Sequence, residues 1–179
     1  MALPSVPWVF LYRDTVEIMQ SHMKGMKSTR KSLPVCARNF GRSAKLQPPT
    51  TLQVINDKGR SVNDLTKVEY CAAHLAGLSL SAIQEHDRTT RGRFVSYAQM
   101  PEIVWDDILP NHFNVDLPRK GVANMKETAL VYSKGRGSKA NQKWEEDSTK
   151  KLETATPEVI RAADKFVGDI YNRMKELSS

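Results

Sequence analysis

The C-terminal segment, residues 157–179, carries the strongest structural pattern in the chain. Thr156 is a good N-cap and Pro157 suits the first helical position, so the sequence predicts a helix that begins there. Apolar residues then recur three or four positions apart, at Ile160, Ala163, Val167, Ile170, Met174 and Leu177. An amphipathic helix of this kind has to bury its apolar stripe, so the rest of the chain must supply a second layer.

Upstream of this helix, patterns typical of strands alternate with patterns typical of helices. A long helix is predicted over residues 65–84, capped by Ser61 or Asn63, with shorter helices at 15–23 and from Pro101 towards Pro110. Strands are predicted at residues 8–12, 50–56, 93–100, 112–117 and 125–135. We therefore expect an α+β fold, one compact domain with about four or five short strands and three or four helices.

The predicted organisation has five parts. They are an apolar N-terminal arm with a short helix (1–23), a basic segment or linker (24–49), an α+β core (50–133), a basic and polar mobile loop (134–156) and the C-terminal helix (157–179). The apolar run at 8–12 either completes the sheet or packs onto a neighbouring subunit.

The cysteine content and the N-terminus bear on the compartment. A disulfide between the two cysteines, Cys36 and Cys71, is the alternative, but a single pair is sparse for a chain of 179 residues, so we expect reduced thiols in a reducing compartment. The N-terminus lacks the pattern of a signal peptide, and its apolar run is too short to span a bilayer. The expected location is therefore cytoplasmic or nuclear, neither secreted nor transmembrane.

The distribution of charge is the strongest functional signal. The net charge is +7, and residues 24–45 contain seven basic residues and no acid, while residues 119–143 contain seven basic residues and one acid, Glu127. A smaller cluster lies at Arg88, Arg91 and Arg93. Solubility needs charge of either sign, whereas binding a polyanion needs one sign gathered in one place, so the asymmetry favours a polyanion partner.

The sequence supplies a set of candidate contacts for nucleic-acid phosphates and bases. Trp144 is the candidate for stacking on an unpaired base, and an alternative is that it covers a helix. The basic candidates are Lys24, Lys27, Arg30, Lys31, Arg38, Arg42, Lys45, Arg91, Arg93, Lys134, Arg136, Lys139 and Lys143.

Patterns of enzymes and of cofactor sites are missing from the sequence. No G-x-x-x-x-G-K-[ST] loop, G-x-G-x-x-G fingerprint, G-x-S-x-G elbow or paired zinc ligands can be found. The adjacent acids Asp106 and Asp107 have no third carboxylate at a telling spacing, so a nuclease is a weak alternative. We expect no enzymatic activity, no cofactor and no metal.

Together these features predict a basic structural protein that binds nucleic acid, with RNA the expected form, and self-assembles as a homo-oligomer. A viral nucleocapsid, coat or matrix protein has this character. The alternatives are a matrix-type protein that docks on an anionic membrane and an accessory subunit of a cellular ribonucleoprotein particle.

Overall fold

The computed structural model of the protein describes residues 6–23, 35–130 and 148–178. About 70% of these residues are helical and 7% are in strands, and the strands form a two-stranded parallel sheet. The expectation of an α+β domain with four or five strands is therefore wrong. The strands are β1 (Trp8–Tyr12) and β2 (Gly92–Ser96). The helices are α1 (Thr15–Met23), α2 (Pro49–Asp57), α3 (Lys67–Thr89), a π-helix (Val104–His112), α4 (Arg119–Ala129), α5 (Ser148–Glu153) and α6 (Pro157–Leu177).

The core forms between α3 and α6, which confirms both of the long helices predicted from the sequence. The two helices run parallel, since the Thr66 hydroxyl at the start of α3 donates to Glu158 in the first turn of α6 at 3.2 Å, and Asp87 and Arg173 near the helix ends are 3.9 Å apart. Thr156 caps α6 as predicted, but the cap of α3 is Thr66 instead of Ser61 or Asn63. Their shared interface is rich in alanine, which lets the two helix axes approach closely (Ala72, Ala73, Ala76, Ala162 and Ala163).

The segment predicted as the strand 50–56 is the helix α2. Its buried residues Thr51, Val54 and Ile55 are three and four positions apart, a helical spacing that pairs them against α3. The β-branched content of this short stretch favours a strand, and packing on α3 overrides that preference. The backbones of α2 and α3 approach each other closely, because a Cβ at Gly77 in α3 would lie 2.7 Å from the backbone nitrogen of Thr51 in α2.

Two further strand predictions in the second half are also wrong. Residues 112–117 complete the π-helix and continue without regular structure, and residues 125–130 belong to α4, while residues 131–135 lie outside the described part. The apolar residues Val122, Met125 and Ala129 of α4 are three and four apart, the period of a helix. The short helix expected from Pro101 is confirmed as the π-helix, which begins at Val104.

The strand predictions at 8–12 and at the start of 93–100 are confirmed. β1 pairs with β2 in the same chain, in a register that sets Trp8 beside Gly92 and Tyr12 beside Ser96. Glycine is required at position 92, since a Cβ there would overlap the Trp8 indole. The sheet packs on the C-terminal halves of α3 and α6, where Tyr12 meets Tyr171 at 5.7 Å between ring centres.

Candidate nucleic-acid interface

A disulfide fixes the start of the acid-free stretch of residues 35–47, which we call the basic loop. Cys36 and Cys71 are bonded, with 4.8 Å between their Cα atoms, and both are buried. The expectation of reduced thiols is therefore wrong. The sequence places the cysteines 35 positions apart, and only the fold of the loop onto the buried face of α3 brings them together.

A buried polar network fixes the other end of the basic loop. The Tyr70 hydroxyl donates to the Gln47 side-chain oxygen, and Gln47 Nε2 donates to the carbonyls of Asn39 at 2.9 Å and Arg42 at 3.1 Å. Burial raises the pKa of Tyr70, although the Arg42 charge acts against it, so the hydroxyl keeps its proton as a donor. The Phe40 ring packs edge-on against the Tyr70 ring, with 5.7 Å between centres.

This scaffold holds three cations out in solvent. Arg38, Arg42 and Lys45 are exposed, and no hydrogen bond or ion pair of their side chains to another described residue is recorded. Gly41 turns the chain between the two arginines with φ +77°, a conformation that glycine adopts without strain. Because residues 35–47 include no acid, the loop presents positive charge without internal neutralisation.

The third predicted cluster has a different environment. The Arg93 guanidinium donates to Asp107, and this contact, with a second from Asn111, holds the pKa of the Asp107 carboxyl below its usual value. Arg88 is bound by Glu85 through two hydrogen bonds of 2.6 and 3.0 Å. Arg91 is exposed just before β2. Most of this cluster's charge is therefore already matched by carboxylates.

The other nine predicted contact residues lie outside the described part of the chain, and they are Lys24, Lys27, Arg30, Lys31, Lys134, Arg136, Lys139, Lys143 and Trp144. The helices that bound their segments are described. Residues 24–34 follow Met23, the last residue of α1, and residues 131–147 precede Ser148, the first residue of α5.

The helices α1 and α5 pack against each other. The Gln20 side-chain amide donates to the carbonyl of Thr154 at 3.0 Å, which ties the two helices together near their ends. Gln20 lies about 5 Å along the helix from Met23, and Thr154 about 9 Å from Ser148. The helix that ends just before residue 24 and the helix that begins just after residue 147 are therefore in contact.

A half-buried histidine near the site carries no recognisable signal in the sequence. His74 stacks on the Tyr70 ring, and its Nδ1 lies 3.3 Å from the Thr51 hydroxyl. Burial, together with the His22 charge, lowers the pKa of His74.

The α4 cations Arg119 and Lys120 are exposed, at the opposite end of the segment 119–143 from α5. No hydrogen bond, ion pair or ring contact between α4 and the basic loop is recorded for the described residues.

The described part of the chain has neither a group of side chains suited to a metal nor a membrane-spanning helix. No cluster of three or more histidine, cysteine or acidic side chains suited to a metal occurs in the described ranges. None of the helices described there is long and apolar enough to cross a membrane.

No protein-family model matches this chain, and no curated protein or solved structure is significantly similar to it.

Proposed function

We propose that this protein is a non-enzymatic structural protein that binds RNA through its phosphates, with the basic loop as the centre of the interface. Proteins of viral nucleocapsids, coats and matrices, and of cellular ribonucleoprotein particles, work in this way. The observation that supports the proposal most is the anchored loop, on which Arg38, Arg42 and Lys45 are exposed with no carboxylate partner among the described residues.

Anchoring matters because a flexible loop loses conformational entropy when it binds. The disulfide at Cys36 and the Gln47 network hold the backbone between them in one arrangement before any ligand arrives. The net binding free energy is then more favourable, because less of the free energy of the phosphate contacts is offset by ordering the loop. Arginine adds geometric fit, since its planar guanidinium binds phosphate oxygens in pairs.

The two flanking basic segments should contribute unequally. Residues 24–34 lead directly into the basic loop and contain no acid. In the second segment, Glu145, Glu146 and Asp147 stand between Lys143 and α5, and their charge opposes that of the lysines. We therefore expect the first segment to add more to RNA affinity than the second.

The test compares two triple variants that remove the same charge. The first replaces Arg38, Arg42 and Lys45 with alanine. The matched control replaces three exposed cations that have carboxylate partners in the fold, Lys58, Lys165 and Arg173. Affinity for single-stranded RNA is measured by fluorescence anisotropy over a range of salt concentrations, and folding by thermal unfolding.

The wild-type protein should lose affinity steeply with salt, with a slope of log K against log salt near −3.5 if about five phosphates are contacted. The loop variant should bind about ten- to a hundred-fold more weakly, with a slope smaller by about 2. The control should change affinity much less at the same net charge. Equal losses in both variants, or a flat salt response in the wild type, would refute a specific basic interface.

Docking on an anionic lipid surface is a second candidate, and Leu46 favours it. This leucine is 63% exposed and adjoins Lys45 on the basic loop, an arrangement that suits insertion beside lipid phosphates. Vesicles of phosphatidylcholine with and without phosphatidylserine distinguish the two candidates by flotation. If the protein docks on lipid, Leu46→Ala should weaken its flotation with anionic vesicles. If the basic loop binds RNA through phosphates, the same substitution should leave the affinity for RNA unchanged.

The location proposed is the cytoplasm or nucleus, where RNA would be encountered. The Cys36–Cys71 disulfide then has to persist against the reducing conditions of those compartments, which its burial favours. Thiol alkylation in intact cells followed by mass spectrometry measures this directly. Fully alkylated Cys36 and Cys71 would contradict either the disulfide or the location.

A further inference from the structure

One edge of the strand β1 is not paired with any residue of the described part of the chain. The Trp8 N–H donates to the Arg91 carbonyl at 3.3 Å, so the alternate residues Trp8, Phe10 and Tyr12 direct their backbone groups towards β2. The backbone groups of Val9 and Leu11 therefore point to the opposite edge. No hydrogen bond to those groups is recorded from any described residue.

The residues of β1 carry none of the side chains that usually prevent a strand from pairing with another chain. The strand sequence WVFLY contains no proline, lysine or other charged residue. Leu11 is 46% exposed, and Leu78 of α3, which lies across a small apolar groove from it, is 48% exposed. The groove has a volume of about 80 Å³ and is lined between them by Ile18 and Leu75. Apolar surface and free backbone groups thus lie side by side.

We propose that the partner of this edge is a second copy of the chain, with β1 paired antiparallel to β1 of the partner across a twofold axis. The free groups lie at Val9 and Leu11, so setting Val9 opposite Leu11 of the partner makes two hydrogen-bonded pairs, about four bonds. Phe10 then faces Phe10 of the partner on the axis. The two sheets join into a four-stranded sheet that covers both exposed edges.

Charge supports a copy of the same chain at this position. Two molecules with a net charge of +7 repel each other, so an interface between copies requires an uncharged patch. In the proposed register the first charged residue after the strand, Arg13, lies opposite Pro7 of the partner, and Arg13 is already paired with Glu17. No like charges therefore face each other along the strands.

The size of the patch sets the expected affinity. A five-residue strand is about 17 Å long, and with the leucines beside it the interface falls at the low end for specific association, below about 1,200 Å². We therefore expect a dimer with a Kd on the order of micromolar. This proposal is independent of RNA binding, and the experiments are done with RNA-free protein.

Sedimentation velocity over a concentration series gives the first test. The wild type should pass from monomer to dimer in the micromolar range, and Leu11→Lys should weaken the dimer at least tenfold. The matched control is Leu152→Lys, because Leu152 in α5 has the same 46% exposure. A wild type that stays monomeric at high concentration, or a dimer equally weakened in both variants, overturns the proposal.

Cross-linking tests the register. Both native cysteines form the disulfide, so an introduced cysteine is the one free thiol. Phe10→Cys should form an intermolecular disulfide under mild oxidation, since facing residues of a non-hydrogen-bonded pair have Cα atoms about 4.5 Å apart. Leu11→Cys should cross-link poorly with itself. Equal cross-linking at both positions would contradict the register. If Phe10→Cys does not fold, the sedimentation test with Leu11→Lys still decides whether β1 forms the dimer interface.

Discussion

Removal of the Cys36–Cys71 disulfide is expected to cost a large part of the stability of the protein. The bond closes a loop across 35 positions of sequence, and the chain-entropy relation gives about 4 kcal/mol for a loop of that length. Domains of this kind are stable by about 5–15 kcal/mol in total, so the loss is a substantial fraction. For a chain of this size it corresponds to a fall of about 8–16 °C in the melting temperature.

The perturbation is the double substitution of Cys36 and Cys71 by alanine, which is compared with wild type that has been reduced. Thermal unfolding is followed by circular dichroism with and without a reducing agent. Reduction should lower the wild-type midpoint by nearly the same amount as the double substitution, and it should leave the midpoint of the double variant unchanged.

A wild-type midpoint that does not respond to a reductant able to open the bond would refute this reasoning. It would mean either that the cysteines are not bonded or that the segment between them is already restricted in the unfolded chain. Counting free thiols in the denatured protein separates these explanations, because a bonded protein gives none before reduction. A fall well below about 2 kcal/mol would point to the second explanation.

Two further predictions concern α3 and its contacts. Gly77→Ala should destabilise the protein by about 1–3 kcal/mol in chemical denaturation, because its Cβ would press on Thr51. Gly168→Ala in α6 should stabilise it by up to about 1 kcal/mol, because its Cβ would lie 3.6 Å from the Asp164 carboxylate, an ordinary contact distance. An equal effect at both positions would contradict the close α2–α3 contact. Because the folded pKa of His74 lies below 6.5, its contribution to stability is complete above pH 6.5 and is lost as the pH falls below that value. The melting temperature should therefore fall less steeply between pH 7.5 and 5 in His74→Gln than in the wild type. Identical pH profiles of the two proteins would argue against the burial of His74.

The parts of the fold that the sequence predicts are those with long or unmistakable patterns. The helix α6 has an N-cap, a proline and a stripe through five turns, so no competing assignment fits it. β1 is short, but its continuous aromatic and β-branched residues leave little choice. Where only six or seven residues carried the pattern, as in α2, the preference of threonine, valine and isoleucine for strands was misleading.

The errors share a cause in tertiary contacts. Thr51, Val54 and Ile55 are buried on one face of a helix because α3 offers a glycine at the contact, and that glycine, Gly77, lies 26 positions beyond Thr51. The expectation of reduced thiols is wrong for the same reason, because spacing alone does not reveal which face of α3 Cys36 reaches. Of the predicted binding residues, Arg93 has a partner from the π-helix that no local pattern indicates.

The basic loop shows how the fold converts composition into a candidate site. An acid-free stretch in a sequence has charge but no fixed shape, and its cations would spread around the surface if the chain were free. Here a covalent bond at Cys36 and a buried amide at Gln47 fix both ends, while Gly41 lets the backbone turn sharply between Arg38 and Arg42. The cations are thus exposed because the residues that hold the loop, Cys36 and Gln47, are buried.

Replacing Gln47 with leucine should weaken RNA binding without removing any charge. The carbonyls of Asn39 and Arg42 would lose their hydrogen-bond donor, and the loop would lose its shape. Anisotropy at fixed salt measures the effect, and an unchanged affinity in a folded Gln47→Leu protein would show that charge alone, without the anchored shape, determines binding.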